Sequence, residues 1–369
     1  MSSPWLVLYL LTLMSDTDET EAPPAASARD ESAHSAGLLA TRFALLFPGQ
    51  GSQRAGMAAR LIEISRAARA VFEEADRALD FSLSRLCVEA DAEELSDTTN
   101  TQPAIVTTSI AYFEYLKERL RDIGGRLAPS VFAGHSLGQF SAAVAAGSVR
   151  LSDGLQLVSE RGRIMKDWAR DRPGGLATVF GLDKPTIEDI CASVSNGESV
   201  AIAAHNAPGQ FVISGDIGPL ERAMQLVRER GGTVLRLPIS VPGHTPVMRD
   251  AASQLGGIIH RTPFFAPSAP LVSNITGGPL TTAEDVRQEL SDQICAAVEW
   301  VRCMGSMVNQ GVATFIEVGP GRALSNIARR FSDNFRFLTV EDANTDDLAS
   351  LGAPPFDALR TPQENQQPA

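Results

Sequence analysis

Through most of its middle the chain alternates short apolar runs with longer amphipathic stretches. Phe43-Ala44-Leu45-Leu46-Phe47 is an unbroken apolar run, the pattern of a strand buried on both faces, and it stops at the turn-rich Pro48-Gly49-Gln50-Gly51-Ser52-Gln53. Helical periodicity follows around residues 57–80, 102–121 and 138–147, and a further apolar run at 130–134 precedes the last of these. Strand and helix in alternation predict a parallel sheet covered on both faces.

From about Gly175 to Ile239 the rhythm changes. Leu176–Gly181 reads as a strand, Lys184–Val194 as a helix, Ser199–Ala204 and Gln210–Ser214 as strands, Ile217–Arg230 as a helix and Thr233–Ile239 as a strand. That order, βαββαβ, is the order of a ferredoxin-like unit. Strand patterns resume at 271–274 and 314–318, so the unit reads as an insertion into the larger fold, with a ligand cleft expected between the two. The expected organisation is a leader over 1–41, a core over 42–174 and 240–340, a subdomain over 175–239 and an acidic tail over 341–369.

Composition changes this picture at the ends. The chain has 369 residues, is 44% hydrophobic and carries a net charge of −12, but residues 14–40 and 341–369 each hold six acids and one Arg, which leaves the body near −2. Acidity of this kind belongs to solvated, disordered tails, and no basic stripe supports nucleic-acid binding. Pro4–Met14 is apolar but too short to span a bilayer, and it runs into Asp16, Asp18, Glu19 and Glu21 with no basic residue before it, so neither a membrane segment nor a secretory signal is expected. Met14 is the expected natural start, and the cytoplasm the expected location. Cys87, Cys191, Cys295 and Cys303 have neither metal-site nor framework spacing and are expected as buried reduced thiols.

The chemistry concentrates at Gly134-His135-Ser136-Leu137-Gly138, a Gly-x-Ser-x-Gly between an apolar strand and a helix rich in small residues. Such a nucleophile elbow holds a serine hydroxyl out at a strand's C-terminal edge, with helical N–H groups aimed at charge forming on an acyl group. The bare pattern also fits an ordinary strand-to-helix turn, and the flanking elements favour the catalytic reading. A serine nucleophile needs a base. His34 falls in the leader, His135 adjoins the serine and points elsewhere, His260 lies in a plain helical stretch and His205 precedes Asn206-Ala207-Pro208 on a loop. His244, in Val241-Pro242-Gly243-His244-Thr245-Pro246, leaves the insertion in a turn between two prolines, where a general base and a structural turn histidine fit equally well.

The set Phe47–Gln53, Thr101–Ala104, Gly134–Gly138, Arg161-Gly162, Asn206–Gly215, Val241–His244, Gln293 with Trp300, and Val318–Gly321 resembles malonyl-CoA:acyl carrier protein transacylase over about residues 43–340. The resemblance implies an α/β-hydrolase-like core with a ferredoxin-like subdomain, malonyl-CoA and an acyl carrier protein as partners, and no metal or redox cofactor. It implies Ser136 as the acylated nucleophile and His244 as its base, oriented by the backbone carbonyl at Gln293. It further implies the amides of Gln50 and Leu137 as the oxyanion hole, Arg161 as the ligand of the malonyl carboxylate, and Asn206 as a substrate-binding residue. On its helix alone Arg161 reads as a solvated surface residue.

Two positions depart from the family's pattern. Gln139 stands where members often carry Glu, and Gly243 where fatty-acid-synthesis members often carry Ser. They leave open whether the pathway served is fatty-acid or polyketide synthesis. An acyl hydrolase clearing stalled carrier proteins is the nearest rival, but it has little use for a carboxylate-binding arginine. A non-catalytic carrier-protein scaffold is the other, and the intact serine, histidine and oxyanion loop argue against it.

Overall fold

The computed structural model describes residues 42–195, 199–332, 334–344, 346–347 and 351. The expected leader, the alternative start at Met14 and His34 lie outside them.

The apolar runs become two sheets. The first has the order β10-β9-β1-β2-β7-β8, built from β1 (Phe43–Phe47), β2 (Val131–Gly134), β7 (Leu271–Val272), β8 (Pro279–Leu280), β9 (Thr314–Glu317) and β10 (Arg336–Thr339). All its pairings are parallel except β7 with β8. β1 is buried at every position, which is why it reads as a continuous apolar run. The second sheet is antiparallel, in the order β4-β5-β3-β6, from β3 (Gly174–Phe180), β4 (Val200–Ala207), β5 (Gln210–Asp216) and β6 (Thr233–Arg236).

Helices α1 (Ala59–Ile64), α2 (Arg66–Leu79), α3 (Leu83–Glu89), α4 (Ala92–Ser96) and α5 (Thr98–Asp122) separate β1 from β2. The single helix predicted over 57–80 is broken at Ser65, whose extended backbone and side chain cap α2 by accepting the Ala68 N–H. α5 starts four residues before the predicted position, at a cap supplied by Asp97, and is buried around much of its circumference. β2 leads into α6 (Gly138–Ala145) and α7 (Leu151–Asp171); α8 (Lys184–Val194) and α9 (Ile217–Glu229) cover one face of the second sheet; α10 (Arg249–Ile259), α11 (Ala283–Asp292), α12 (Trp300–Asn309) and α13 (Ala323–Ala328) follow among the described residues. No helix among the described residues is long and apolar enough to cross a membrane.

The other face of the second sheet joins the first. Leu176, Ala203, Ala207 and Val212 share a core with Ala44, Leu46 and Trp300, and the Val298 N–H donates to Ala203 O at 2.9 Å. β4 continues beyond its predicted end at Ala204, since His205 and Ala207 still pair with Phe211 and Gln210 of β5. His205, expected on a loop, lies within the strand, where its N–H donates to Val298 O and its ring stacks on Phe211 at 4.3 Å. The described part of the expected tail also departs from expectation. Glu341 pairs with Arg54, Asp342 with Arg322 and Asp347 with Arg336, and Leu351 is buried, so the acids at the start of that segment face basic partners in the body. All four cysteines are free, but Cys295 is only half-buried.

β1 and β2 are neighbours at the centre of the parallel sheet, and each ends in a sequence-marked turn. Ligands of open parallel sheets bind outside such carboxyl ends.

Candidate active site

Between Gly134 at the end of β2 and Gly138 at the start of α6, the chain turns through Ser136, whose φ is 53°. This left-handed backbone is uncommon for a residue with a Cβ and is held by its surroundings. Ser136 O accepts the Gln139 N–H at 2.9 Å, and the Ser136 N–H donates to Asn274 Oδ1 at 2.8 Å. The two glycines serve close approach: a Cβ on Gly134 would lie 2.0 Å from Gly138 O, and one on Gly138 would lie 2.0 Å from Phe47 O. The turn is thus wedged against the end of β1.

Ser136 Oγ lies 2.5 Å from His244 Nε2. His244 also has a left-handed φ, 65°, and its N–H donates to Ile294 O at 2.8 Å. Nδ1 is 2.8 Å from Gln293 O and 3.2 Å from Ala296 O. Both are acceptors, so Nδ1 carries the proton and Nε2 presents a lone pair to the serine. Burial, then the nearby Arg161 cation, pull the His244 pKa down to about 4. The imidazole is therefore neutral and able to accept a proton at any pH near 7. Of the two readings open for the turn histidine, this geometry is that of a base.

Arg161 is 1% exposed, which removes the reading of a solvated helix residue. Nη1 donates to Gln102 Oε1 at 2.9 Å, and the guanidinium lies over the Phe140 ring at 5.8 Å. Nε and Nη2, the two nitrogens on one edge of the fork, have no partner, and no carboxylate among the described residues pairs with the group. Burial lowers its pKa to about 10, so it remains charged at neutral pH. A buried cation with one open edge is costly unless an anion meets it, and that edge matches a carboxylate.

The Pro48-Gly49-Gln50 turn after β1 presses on the elbow: a Cβ on Gly49 would lie 2.5 Å from His135 O and 3.8 Å from Leu137 N. Neither the Gln50 nor the Leu137 amide donates to an acceptor among the described residues, which leaves both N–H groups without a partner. The Gln50 side chain reaches Thr98 Oγ1 at 3.4 Å. His135 turns away, as expected: its Nε2 is 2.8 Å from Asn206 Oδ1 and its ring packs edge-on against Trp300. Asn206, expected to bind substrate, holds His135 through that oxygen. His260 is exposed at the end of α10.

Three residues at the site carry contacts to which the sequence reading gave no role. Gln102 orients Arg161, and its only sequence signal was its place in Thr101–Ala104. Gln139 accepts the Gly134 N–H at 3.0 Å and donates to Val272 O at 2.9 Å. An amide satisfies both contacts, whereas a carboxylate could not donate to the carbonyl. Asn274, in a stretch read only as a strand end, braces Ser136. A Cβ added at Gly243 would meet only Met165 Cε, at 3.5 Å, so the wall beside His244 is open there. A cavity of 530 Å³ lies between Thr98 and Val241, with Asp97, Lys166, Arg170 and Arg236 in its lining, and Lys166 is paired with Asp97 at 2.6 Å.

Comparison with known proteins adds an independent finding. Residues 44–351 match the family model described as acyl transferase domain. The malonyl CoA-acyl carrier protein transacylase of Bacillus subtilis strain 168 is 36% identical over 311 residues, covering 84% of this chain and 96% of its own. The crystal structure of FabD from Acinetobacter baumannii superposes with a TM-score of 0.78 at 37% identity, over 85% of this chain and 98% of its own. A malonyl-transacylase solved in complex with its type II PKS acyl-carrier protein, PlMCAT:AntF, gives a TM-score of 0.78 at 34% identity, over 84% and 99%.

Proposed function

The chain belongs to the acyl transferase family, and from that premise we propose that it moves a malonyl group from malonyl-CoA to the phosphopantetheine thiol of an acyl carrier protein. Within this reading the parallel-sheet unit is an α/β-hydrolase-like core, and the antiparallel unit is an inserted ferredoxin-like subdomain, a reading supported by its βαββαβ order and by β3 lying between β5 and β6. The pathway served is fatty-acid or polyketide synthesis, in the cytoplasm.

Each step has a residue to carry it. Ser136 Oγ attacks the thioester carbonyl while His244 Nε2 takes its proton, and the oxyanion formed lies against the Gln50 and Leu137 amides. A preorganised donor of that kind is worth roughly 2.7–4 kcal/mol in the transition state. Collapse of the intermediate breaks the C–S bond, and the proton on His244 goes to the departing CoA sulfur. The carrier's thiol then gives its proton to His244 and attacks the malonyl-serine ester, and Ser136 leaves as the alcohol. Gln293 O keeps the imidazole in the tautomer both half-reactions need. No metal or redox cofactor takes part.

The observation that carries the choice of acyl group is the buried, open edge of Arg161 beside Ser136 and His244. A neutral acyl group would leave that cation unsatisfied, and a hydrolase acting on neutral acyl chains would gain nothing from it. The test is intact-mass measurement after brief exposure to malonyl-CoA or acetyl-CoA, followed by addition of phosphopantetheinylated carrier protein. A malonyl adduct on Ser136 that leaves for the carrier is expected, with little acetyl adduct and none on Ser136→Ala. Adduct lost to water at the same rate with and without carrier would establish the hydrolase instead.

A further inference from the structure

Asn274 lies two residues past β7, where the parallel sheet runs beside the elbow, and it is fully buried. Its Oδ1 accepts the Ser136 N–H at 2.8 Å, and its Nδ2 donates to Gly134 O at 2.7 Å and reaches Gln139 Oε1 at 3.4 Å. One amide therefore ties together both limbs of a turn whose central residue sits in a backbone region that side chains disfavour. The strap is itself anchored. The Asn274 N–H donates to Glu289 Oε1 at 2.6 Å, and the other oxygen of Glu289 accepts Ser273 Oγ at 2.6 Å.

The contacts require a donor on one end of the side chain and an acceptor on the other, which an amide supplies and neither a carboxylate nor an apolar chain does. They also decide which amides remain open. With the Ser136 N–H engaged, the Leu137 N–H is the one amide of the elbow that has no partner among the described residues.

We propose that Asn274 is a positioning residue for acylation: it holds Ser136 in the left-handed turn that presents Oγ to His244 Nε2, and it leaves the Leu137 amide as the elbow's oxyanion donor. The inference rests on Ser136 being the acylated group. It concerns the nucleophile alone, since Asn274 makes no contact with Arg161.

The measurement is the single-turnover rate of Ser136 acylation by malonyl-CoA, followed against pH. In parallel, the rate of labelling by a fluorophosphonate reports on the serine and its oxyanion donors without using Arg161. Asn274→Ala is expected to lower both rates about ten- to a hundredfold, the scale for a misplaced nucleophile, with the malonyl-CoA concentration for half-maximal rate changed less than twofold. Its acid limb should stay near the low value set by burial of His244. A role in packing alone would instead admit water to His244 and move that limb up toward 6.5. Asn274→Asp keeps the acceptor for the Ser136 N–H and, when protonated, regains a donor to Gly134 O. The introduced carboxyl would face Gly134 O and Gln139 Oε1, with Glu289 bound to the same residue's backbone N–H, and burial beside Glu289 holds its pKa up. Its rates should therefore rise as pH falls from 8 toward 5, where wild type is flat. Wild-type rates in Asn274→Ala, or an Asn274→Asp profile that parallels wild type, would overturn the proposal. Fluorophosphonate labelling of wild type without any malonyl adduct would instead remove the malonyl reading and leave the Asn274 comparison standing on the probe.

Discussion

Replacing Arg161 with Ala separates binding of the acyl carboxylate from the chemistry at Ser136. In the free protein the guanidinium holds Gln102 Oε1 with Nη1, while Nε and Nη2 have no partner. A malonyl carboxylate can take both of those N–H groups at once, in a site where the cation is 1% exposed. Breaking a buried pair by removing one partner costs about 3–5 kcal/mol. If that full amount is expressed in the transition state, malonylation should fall between roughly a hundredfold and several thousandfold in kcat/KM. Acetylation should hold steady or rise, because an acetyl group no longer meets an unsatisfied cation. Lys should restore part of the malonyl rate, since an ammonium supplies charge without the two-pronged edge. The assay is single-turnover acylation at pH 8, because the Arg161 cation also lowers the His244 pKa and its loss must not be read as protonation of the base. Thermal melting of Arg161→Ala should show no large loss, as an unpaired buried cation contributes little to stability. Equal losses for malonyl and acetyl groups would refute the reasoning.

The elements with strong local signatures were legible in the sequence, and the contacts between them were not. β1 and α8 begin and end where their patterns predict, because an apolar run closed by Pro-Gly and a helix opened by Asp183 and Lys184-Pro185 carry their own boundaries. β4 runs past its expected end because His205 and Ala207 pair with Phe211 and Gln210 of β5, while Val298, almost a hundred positions away, bonds Ala203 and His205 from the other side. β8, with two residues, and β10, half-buried at the sheet edge, gave no periodicity to find. At the site, Ser136 stood out through its flanking glycines, but the purpose of those glycines lies in the distances to Gly138 O and Phe47 O. The partners of His244 are carbonyls, which any residue supplies, so Gln293 entered only through resemblance. Asn274 and Gln102 are single polar residues in unremarkable stretches, and their roles exist only once β7 and α5 are packed against the elbow and α7. Arg161 is the sharpest case, since nothing in the pattern of α7 distinguishes a buried cation from a solvated one.

Two further outcomes follow from the same geometry. Gly138→Ala places a methyl 2.0 Å from Phe47 O and 2.8 Å from Pro48 O, both backbone atoms that cannot swing aside. The variant should lose about 3 kcal/mol or more, in the range of severe overpacking. A melting temperature within a degree or two of wild type would mean that β1 and the elbow are less tightly joined than their spacing implies. For His244, burial and the Arg161 cation take the pKa from 6.5 to about 4. Acylation should therefore be insensitive to protonation of this base from pH 8 down to about 5 and be half lost near 4. Stability follows with a definite sign. Above 6.5 the imidazole is neutral whether the chain is folded or unfolded, and it adds no pH dependence. Between 6.5 and about 4 the unfolded chain takes up a proton that the folded protein refuses, so stability falls with falling pH. At 1.36 kcal/mol for each tenfold change in proton affinity, the total reaches roughly 3 kcal/mol. Chemical denaturation of wild type and His244→Ala at pH 7.5, 5.5 and 4.5 isolates the contribution, because other titrating groups such as Glu317 are common to both proteins. Wild type should lose ground to the variant step by step. Parallel curves, together with an acid limb of acylation near 6.5, would mean that the imidazole is hydrated and that the tight Ser136 contact is not its resting state.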